Sequence, residues 1–142
     1  MKNSFIDVAS IIVLAGVFVL NILFRNQFDG GSILFIASLL IVLVGITIWL
    51  IGKKTLGEFF STSRYPKGFV TKGIYSKIRH PMYYSGIVIY IGTALFFRSW
   101  VGLGLVFFLV IPILYYFIKK EEGFLREKYK DQYLVYREKT II

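Results

Sequence analysis

The chain has 142 residues, 56% of them hydrophobic, a mean hydropathy of +0.68, and apolar residues gathered in blocks of membrane-spanning length, which excludes a water-soluble globule. Seventeen Lys and Arg against eight Asp and Glu give a net charge of +9, which in so apolar a chain reads as a topology signal, so no nucleic-acid partner is expected. The absence of cysteine excludes disulfides, thiolate metal sites and a cysteine nucleophile.

Phe5 to Phe24 is apolar apart from Asp7, Ser10 and Asn21, and twenty residues at ~1.5 Å rise match the ~30 Å hydrocarbon layer, so a first transmembrane helix is expected. The run closes on Ile22-Leu23-Phe24-Arg25 without a small-residue cleavage pattern, which predicts a retained helix. Asp7 lies within two turns of its start, where a carboxylate reaches the headgroups and favours the positive helix terminus. Arg25 to Gly31 reads as a turn through its glycine pair. Ser32 to Ile51 is uncharged, begins on a capping serine, carries Trp49 for the interfacial belt and stops at Gly52-Lys53-Lys54. Residues 1–51 are thus expected to form an antiparallel hairpin.

Residues 52–81 form the longest polar segment, with Lys53, Lys54, Arg64, Lys67, Lys72, Lys77 and Arg79 against the single acid Glu58. The positive-inside rule makes this loop cytoplasmic and suits it to anionic lipid headgroups. Met82 to Phe97, a tight turn at Arg98-Ser99-Trp100, and Val101 to Ile118 make a second hairpin over 82–118, with a kink expected at Pro112. Gly102-x-Gly104 lies inside an apolar helix with no strand before it, so helix packing rather than a nucleotide loop is expected. There is no metal-ligand spacing and no metal site is expected. From Lys119 the chain turns polar but stays periodic: Glu122, Leu125, Tyr129, Tyr133 and Tyr136 share one face of an amphipathic tail helix over 119–142. The face opposite the basic loop keeps only Arg25, Asp29 and Arg98. The fold class expected is therefore an all-α integral membrane protein forming a single membrane domain over 1–142. It has four transmembrane helices in two antiparallel hairpins, a cytoplasmic amphipathic C-terminal helix, and both termini cytoplasmic.

A hairpin returns the chain to the side it left, so Arg79-His80 before the third helix and Glu121-Glu122 after the fourth lie at one depth. Paired charges there suit a zwitterionic head: an arginine or loop amides for a carboxylate, a glutamate for an ammonium or sulfonium. Taken singly, the same four residues also read as ordinary juxtamembrane charges that set orientation.

The stretch from Gly73 to Tyr136 resembles the membrane methyltransferases that include isoprenylcysteine carboxyl methyltransferases and phospholipid N-methyltransferases. Those families carry Gly-Pro-Tyr, Arg-His-Pro-x-Tyr-x-Gly, an apolar hairpin, Glu-Glu-x-x-Leu, Phe-Gly and two tyrosines three apart. Here stand Gly73-Ile74-Tyr75, Arg79-His80-Pro81-Met82-Tyr83, Glu121-Glu122-Gly123-Phe124-Leu125, Tyr129-Lys130, and Tyr133 with Tyr136. The resemblance implies S-adenosylmethionine as cofactor, bound between the third and fourth helices on the cytoplasmic side without a Rossmann sheet. It also implies a hydrophobic or lipid-linked carboxylate or amine as acceptor, entering from the bilayer. Cofactor contacts implied are Tyr75, His80, Pro81, Met82, Tyr83 and Glu121, with backbone near Phe69 and Val70, while Arg79 and Glu122 take supporting electrostatic roles. Arg79 would act through a carboxylate or loop carbonyls, Glu122 through the cofactor's ammonium or a lysine. The departures are Ile74 for proline, Ser85 for glycine with Gly86 one residue late, Lys130 for glycine, and Phe117 where prenylcysteine carboxyl methyltransferases place a substrate-binding arginine. The last points away from a prenylcysteine carboxylate. Sterol reductases share a related Arg-His-Pro-x-Tyr core, but their chains are longer and lack the Glu-Glu-x-x-Leu pattern. A membrane scaffold holding anionic lipid on its basic loop is the non-enzymatic alternative.

Overall fold

The computed structural model describes residues 2–57 and 69–141, and side chains from Ile12 onward. Asp7, and Glu58, Arg64 and Lys67 of the basic loop, lie outside the described residues or side chains. Every regular element among the described residues is helical: α1 (Lys2–Leu23), α2 (Gly31–Leu56), a 3₁₀ turn at Gly73–Ser76, α3 (Pro81–Phe96), α4 (Trp100–Leu105), a π turn at Val106–Val110 and α5 (Ile111–Glu138).

Two helices, Gly31–Leu56 and the continuous run Trp100–Glu138, are long and apolar enough to cross a membrane. The other two expected spans are shorter apolar helices, Ile12–Leu23 within α1 and Pro81–Phe96. The 16 residues of α3 reach about 24 Å at ~1.5 Å per residue, under the ~30 Å hydrocarbon layer.

Three boundaries differ from expectation, each for a local reason. The second helix runs on to Leu56, so Lys53 and Lys54 sit in its last turn, where cations favour the negative helix end. The fourth span and the tail are one helical run, because Lys119-Lys120-Glu121-Glu122 are good helix formers and no glycine or proline separates the apolar part from the charged part. The irregularity expected at Pro112 is the π turn before it, where the Ile111 N–H bonds back to the Val106 carbonyl, widening the ladder next to a residue with no N–H.

Cations stand over rings one turn back at several places: Lys53 on Trp49 at 5.0 Å, Lys119 on Tyr115 at 5.2 Å and Lys120 on Tyr116 at 5.7 Å. Aromatic rings with a snorkelled ammonium are the usual marks of a membrane–water boundary.

The chain forms two compact units, each drawing on both halves of the sequence. The first comprises residues 1–45 and 87–113. Here α1 meets α4 closely: a Cβ added at Gly102 would fall 1.7 Å from Asn21 Oδ1. Asn21 is fully buried, its amide donating to the Val17 carbonyl at 3.1 Å. Gly102 is therefore a packing residue, as its place in an apolar helix suggests, whereas Gly104 has nothing within 4 Å. Tyr90 adds a hydrogen bond to the Leu14 carbonyl, and Phe35 packs on Phe96.

The second unit comprises residues 46–86 and 114–142. Its core is the face expected of the tail helix: Leu125, Tyr133 and Tyr136 are buried, with Phe69, Phe124 and Tyr129 packed against them. The tail helix breaks at Lys130, whose φ of 44° and ψ of −122° are conformational territory for glycine. Glycine is the residue the resembling families carry there, and here a lysine holds the bend under strain.

Gly102→Ala is expected to destabilise by about 1–3 kcal/mol through overpacking against Asn21. Part of that loss should return in the Asn21→Ala, Gly102→Ala double variant, read by thermal unfolding in detergent. Lys130→Gly is expected to raise stability by about 1 kcal/mol, the relieved strain outweighing the entropic cost of glycine; an unchanged or lower melting temperature would contradict a strained lysine.

Candidate active site

The site grows from a short stretch of backbone leading into α3. Gly73 opens the 3₁₀ turn with a φ of 60°, and a Cβ there would lie 3.0 Å from Thr55 Cγ2, so both conformation and space call for glycine. The turn delivers the buried Tyr75, whose carbonyl accepts a 2.6 Å hydrogen bond from the Tyr136 hydroxyl. Pro81 then begins α3, where its missing N–H costs nothing, and the His80 carbonyl accepts from the amides of Tyr83 and Tyr84.

Arg79 reaches across to α5. Its Nε lies 3.0 Å from Glu122 Oε1, and its Nη1 donates to the carbonyl of Arg137 at 3.1 Å and the hydroxyl of Thr140 at 2.8 Å. One guanidinium thus neutralises a buried carboxylate and satisfies the end of the tail helix, whose last carbonyls have no helical partners. The Ile141 amide closes the same corner on the Lys77 carbonyl at 3.0 Å. His80, also buried, places Nε2 3.4 Å from the same Glu122 oxygen, in ion-pair reach but poorly set for a hydrogen bond.

The two neighbouring glutamates live in opposite electrostatic settings. Contact with His80, together with the charges of His80 and Arg79, holds the Glu122 carboxyl at about 2 against the pull of burial. Burial raises Glu121 above the usual carboxylate range, opposed by the His80 charge and a hydrogen bond from Tyr83. Burial likewise lifts the phenols of Tyr75 and Tyr133, and Tyr136 to about 12, so all three remain donors at neutral pH.

Tyr75, Arg79, His80 and Glu121 line one cavity with Phe69 and Val70. Of the remaining residues implied by the resemblance, Pro81, Met82 and Tyr83 do not line it: Pro81 is buried at the helix start, Met82 packs toward Gly52, and Tyr83 acts through Glu121. Glu122 also stays off the lining; among the described residues its ion-pair partners are Arg79 and His80. Leu56, Leu125, Tyr133 and Tyr136 complete the wall. The last three were legible as a helix face, whereas nothing in the sequence marks Leu56. Ser85, at the families' glycine position, fits because it is fully buried with its hydroxyl turned back onto the Met82 carbonyl at 2.8 Å.

The cavity holds about 30 Å³, the volume of roughly one water. Phe69 accounts for much of the filling, its ring 4.9 Å from Tyr129 and 5.6 Å from both Tyr133 and Tyr136. Among the described residues, His80 Nε2 and the Tyr133 hydroxyl are buried without a hydrogen-bond partner of good geometry. Buried polar atoms left in this state cost about 1–3 kcal/mol each, an expense that a polar ligand would remove.

Because the folded Glu122 carboxyl lies below its ordinary value of 4.5, its contribution is complete above that pH and is lost as pH falls from about 4.5 to about 2. Wild-type melting temperature should therefore drop across this window, and Glu122→Gln should be less stable at pH 7 and flatter below pH 4.5, as measured by unfolding against pH.

A family model described as phospholipid methyltransferase matches residues 26–132. No curated protein and no solved structure matches the chain.

Proposed function

Since the chain belongs to the phospholipid methyltransferase family, we propose that it uses S-adenosylmethionine to methylate the amine headgroup of a lipid at the cytoplasmic face of a membrane. The observation that carries the reading is the convergence of Arg79-His80 and Glu121-Glu122 on one cavity inside the matched region. The family match also favours a methyltransferase over a reductase or a scaffold.

The donor set fits an amino-acid-bearing nucleoside. Glu121, which has no arginine partner among the described residues, faces the cofactor's ammonium; the Tyr133 hydroxyl and His80 Nε2 supply the hydrogen bonds that each of them lacks among the described residues. Arg79 and Glu122 position the site by holding His80 and the tail helix. A nucleoside requires a pocket of several hundred Å³, so binding parts the Phe69 ring from Tyr133 and Tyr136. Pro81, Met82 and Tyr83 serve as backbone and second contacts around that enlarged space.

When bound, S-adenosylmethionine would supply an electrophilic methyl group, its C–S bond breaking as the acceptor nitrogen bonds to the methyl carbon and the sulfur leaves as a neutral thioether. The chain's work is positioning and exclusion of water, and near-attack alignment is worth ~7–11 kcal/mol. An amine acceptor must reach that alignment unprotonated. Four spans, with both termini and the basic loop in the cytoplasm, bring cofactor from solution and lipid from the bilayer to the same site, while Lys53, Lys54 and their neighbours hold anionic headgroups.

Calorimetry in detergent is expected to show cofactor binding that weakens roughly 10- to 100-fold in Glu121→Gln and His80→Ala, the cost of a hydrogen bond to a charged group. With isotopically labelled methyl donor, lipid mass spectrometry should find labelled lipid with wild type and little with Glu121→Gln. Folded protein that binds neither S-adenosylmethionine nor its demethylated product would refute the assignment.

A further inference from the structure

The first unit contains a second cleft, much larger than the one above, at about 730 Å³. It lies between the turn joining α1 to α2 and the turn joining α3 to α4, and its polar lining is Arg25, Arg98, Asn26 and Ser32. No carboxylate among the described residues lines it; Asp29, in the same turn, is exposed and outside the lining. The remaining wall is apolar, with Phe35 and Ile36 about half exposed and Phe96 packed beside Phe35.

The two turns that carry the arginines are joined by a built corner. The Asn26 amide donates to the Phe97 carbonyl at 2.9 Å, the Gln27 amide to the Arg98 carbonyl at 2.9 Å, and the Val101 amide to Gln27 Oε1 at 3.0 Å. Arg98 further donates to the Asn26 side-chain oxygen. Asn26 and Arg98 both adopt positive φ, 60° and 53°, so the two turns are bent specifically to meet. The Arg98 side chain, positioned in advance by its bond to Asn26, loses less freedom on binding.

We propose that this cleft binds an anionic glycerophospholipid, with its phosphodiester between Arg25 and Arg98 and the upper part of an acyl chain along Phe35, Ile36 and Phe96. Charge complementarity selects the occupant. Guanidinium groups match phosphate oxygens in pairs, and two cations with no acid among the described lining residues favour a headgroup carrying net negative charge over a zwitterionic one, whose ammonium would find no acid there. The volume lies in the range of ligand pockets, and the mixed polar and apolar wall suits an amphiphile rather than a free anion. This lipid is distinct from both the acceptor and the headgroups at the basic loop. In the proposed topology it belongs to the non-cytoplasmic leaflet, where it anchors the two turns.

Native mass spectrometry of the full chain in detergent, titrated with phosphatidylglycerol, phosphatidylcholine or inorganic phosphate, tests the proposal. Phosphatidylglycerol should bind at least several-fold more tightly than phosphatidylcholine, and inorganic phosphate should not displace it. Arg25→Gln, which leaves the hydrogen-bonded corner intact, should weaken phosphatidylglycerol about threefold or more, and Arg25→Gln with Arg98→Gln about tenfold. Photo-crosslinkable phosphatidylglycerol should label peptides spanning residues 25–36 and 95–98, and Lys53→Gln with Lys54→Gln should leave that labelling unchanged. Equal affinity for the two lipids, displacement by phosphate, or wild-type binding in Arg25→Gln would overturn the proposal. Cofactor calorimetry on the same variants reads the methyltransferase assignment separately.

Discussion

The Arg79–Glu122 pair is the interaction on which the second unit depends. A carboxylate in a largely apolar helical face is costly to bury alone, and a guanidinium with only one partner would leave most of its donors unused. Together they solve both problems: Arg79 spends one donor on Glu122 and others on the end of the tail helix at Arg137 and Thr140. The backbone before α3 is thereby tied to α5 at two points, one beside the site and one at the chain's end.

That tie separates the roles of two adjacent glutamates. Glu122 faces Arg79 and His80 and is held ionised by them, while Glu121 lines the cavity and loses solvent without an arginine partner among the described residues. The neighbour that is structurally satisfied is not the one best placed to meet a ligand. His80 stands between them, close enough to Glu122 to help hold it and still lining the cavity. The site's polarity is therefore arranged by a framework pair and expressed by the residues that the pair leaves free.

The first unit follows a different physical rule. Its closest approach, Asn21 against Gly102, uses the absence of a side chain rather than the pairing of charges, and its turns are joined through backbone amides and carbonyls. Large apolar side chains such as Ile33 and Phe108 stand more than four-fifths exposed. In water so much exposed apolar surface would promote association, whereas in hydrocarbon tails it is an ordinary outer face. Helix packing there has to come from close fit and polar contacts, which is what Asn21, Gly102 and Tyr90 provide.

Hydropathy and residue order by themselves determined the helical blocks, the tail-helix face of Leu125, Tyr133 and Tyr136, and the meeting of Arg79-His80 with Glu121-Glu122, because periodicity and spacing are local properties. The same local information could not join the fourth span to the tail helix across Ile118-Lys119, since the change from apolar to charged composition looks like a boundary although Lys119 to Glu122 favour helix. Nor could it show which glutamate pairs with Arg79, that Tyr83 bonds to Glu121, or that Leu56 forms part of the wall. Those facts depend on which side chains face one another across elements far apart in sequence, and on the burial that decides whether a charge is paired or exposed to a ligand. Only the tertiary structure holds that information.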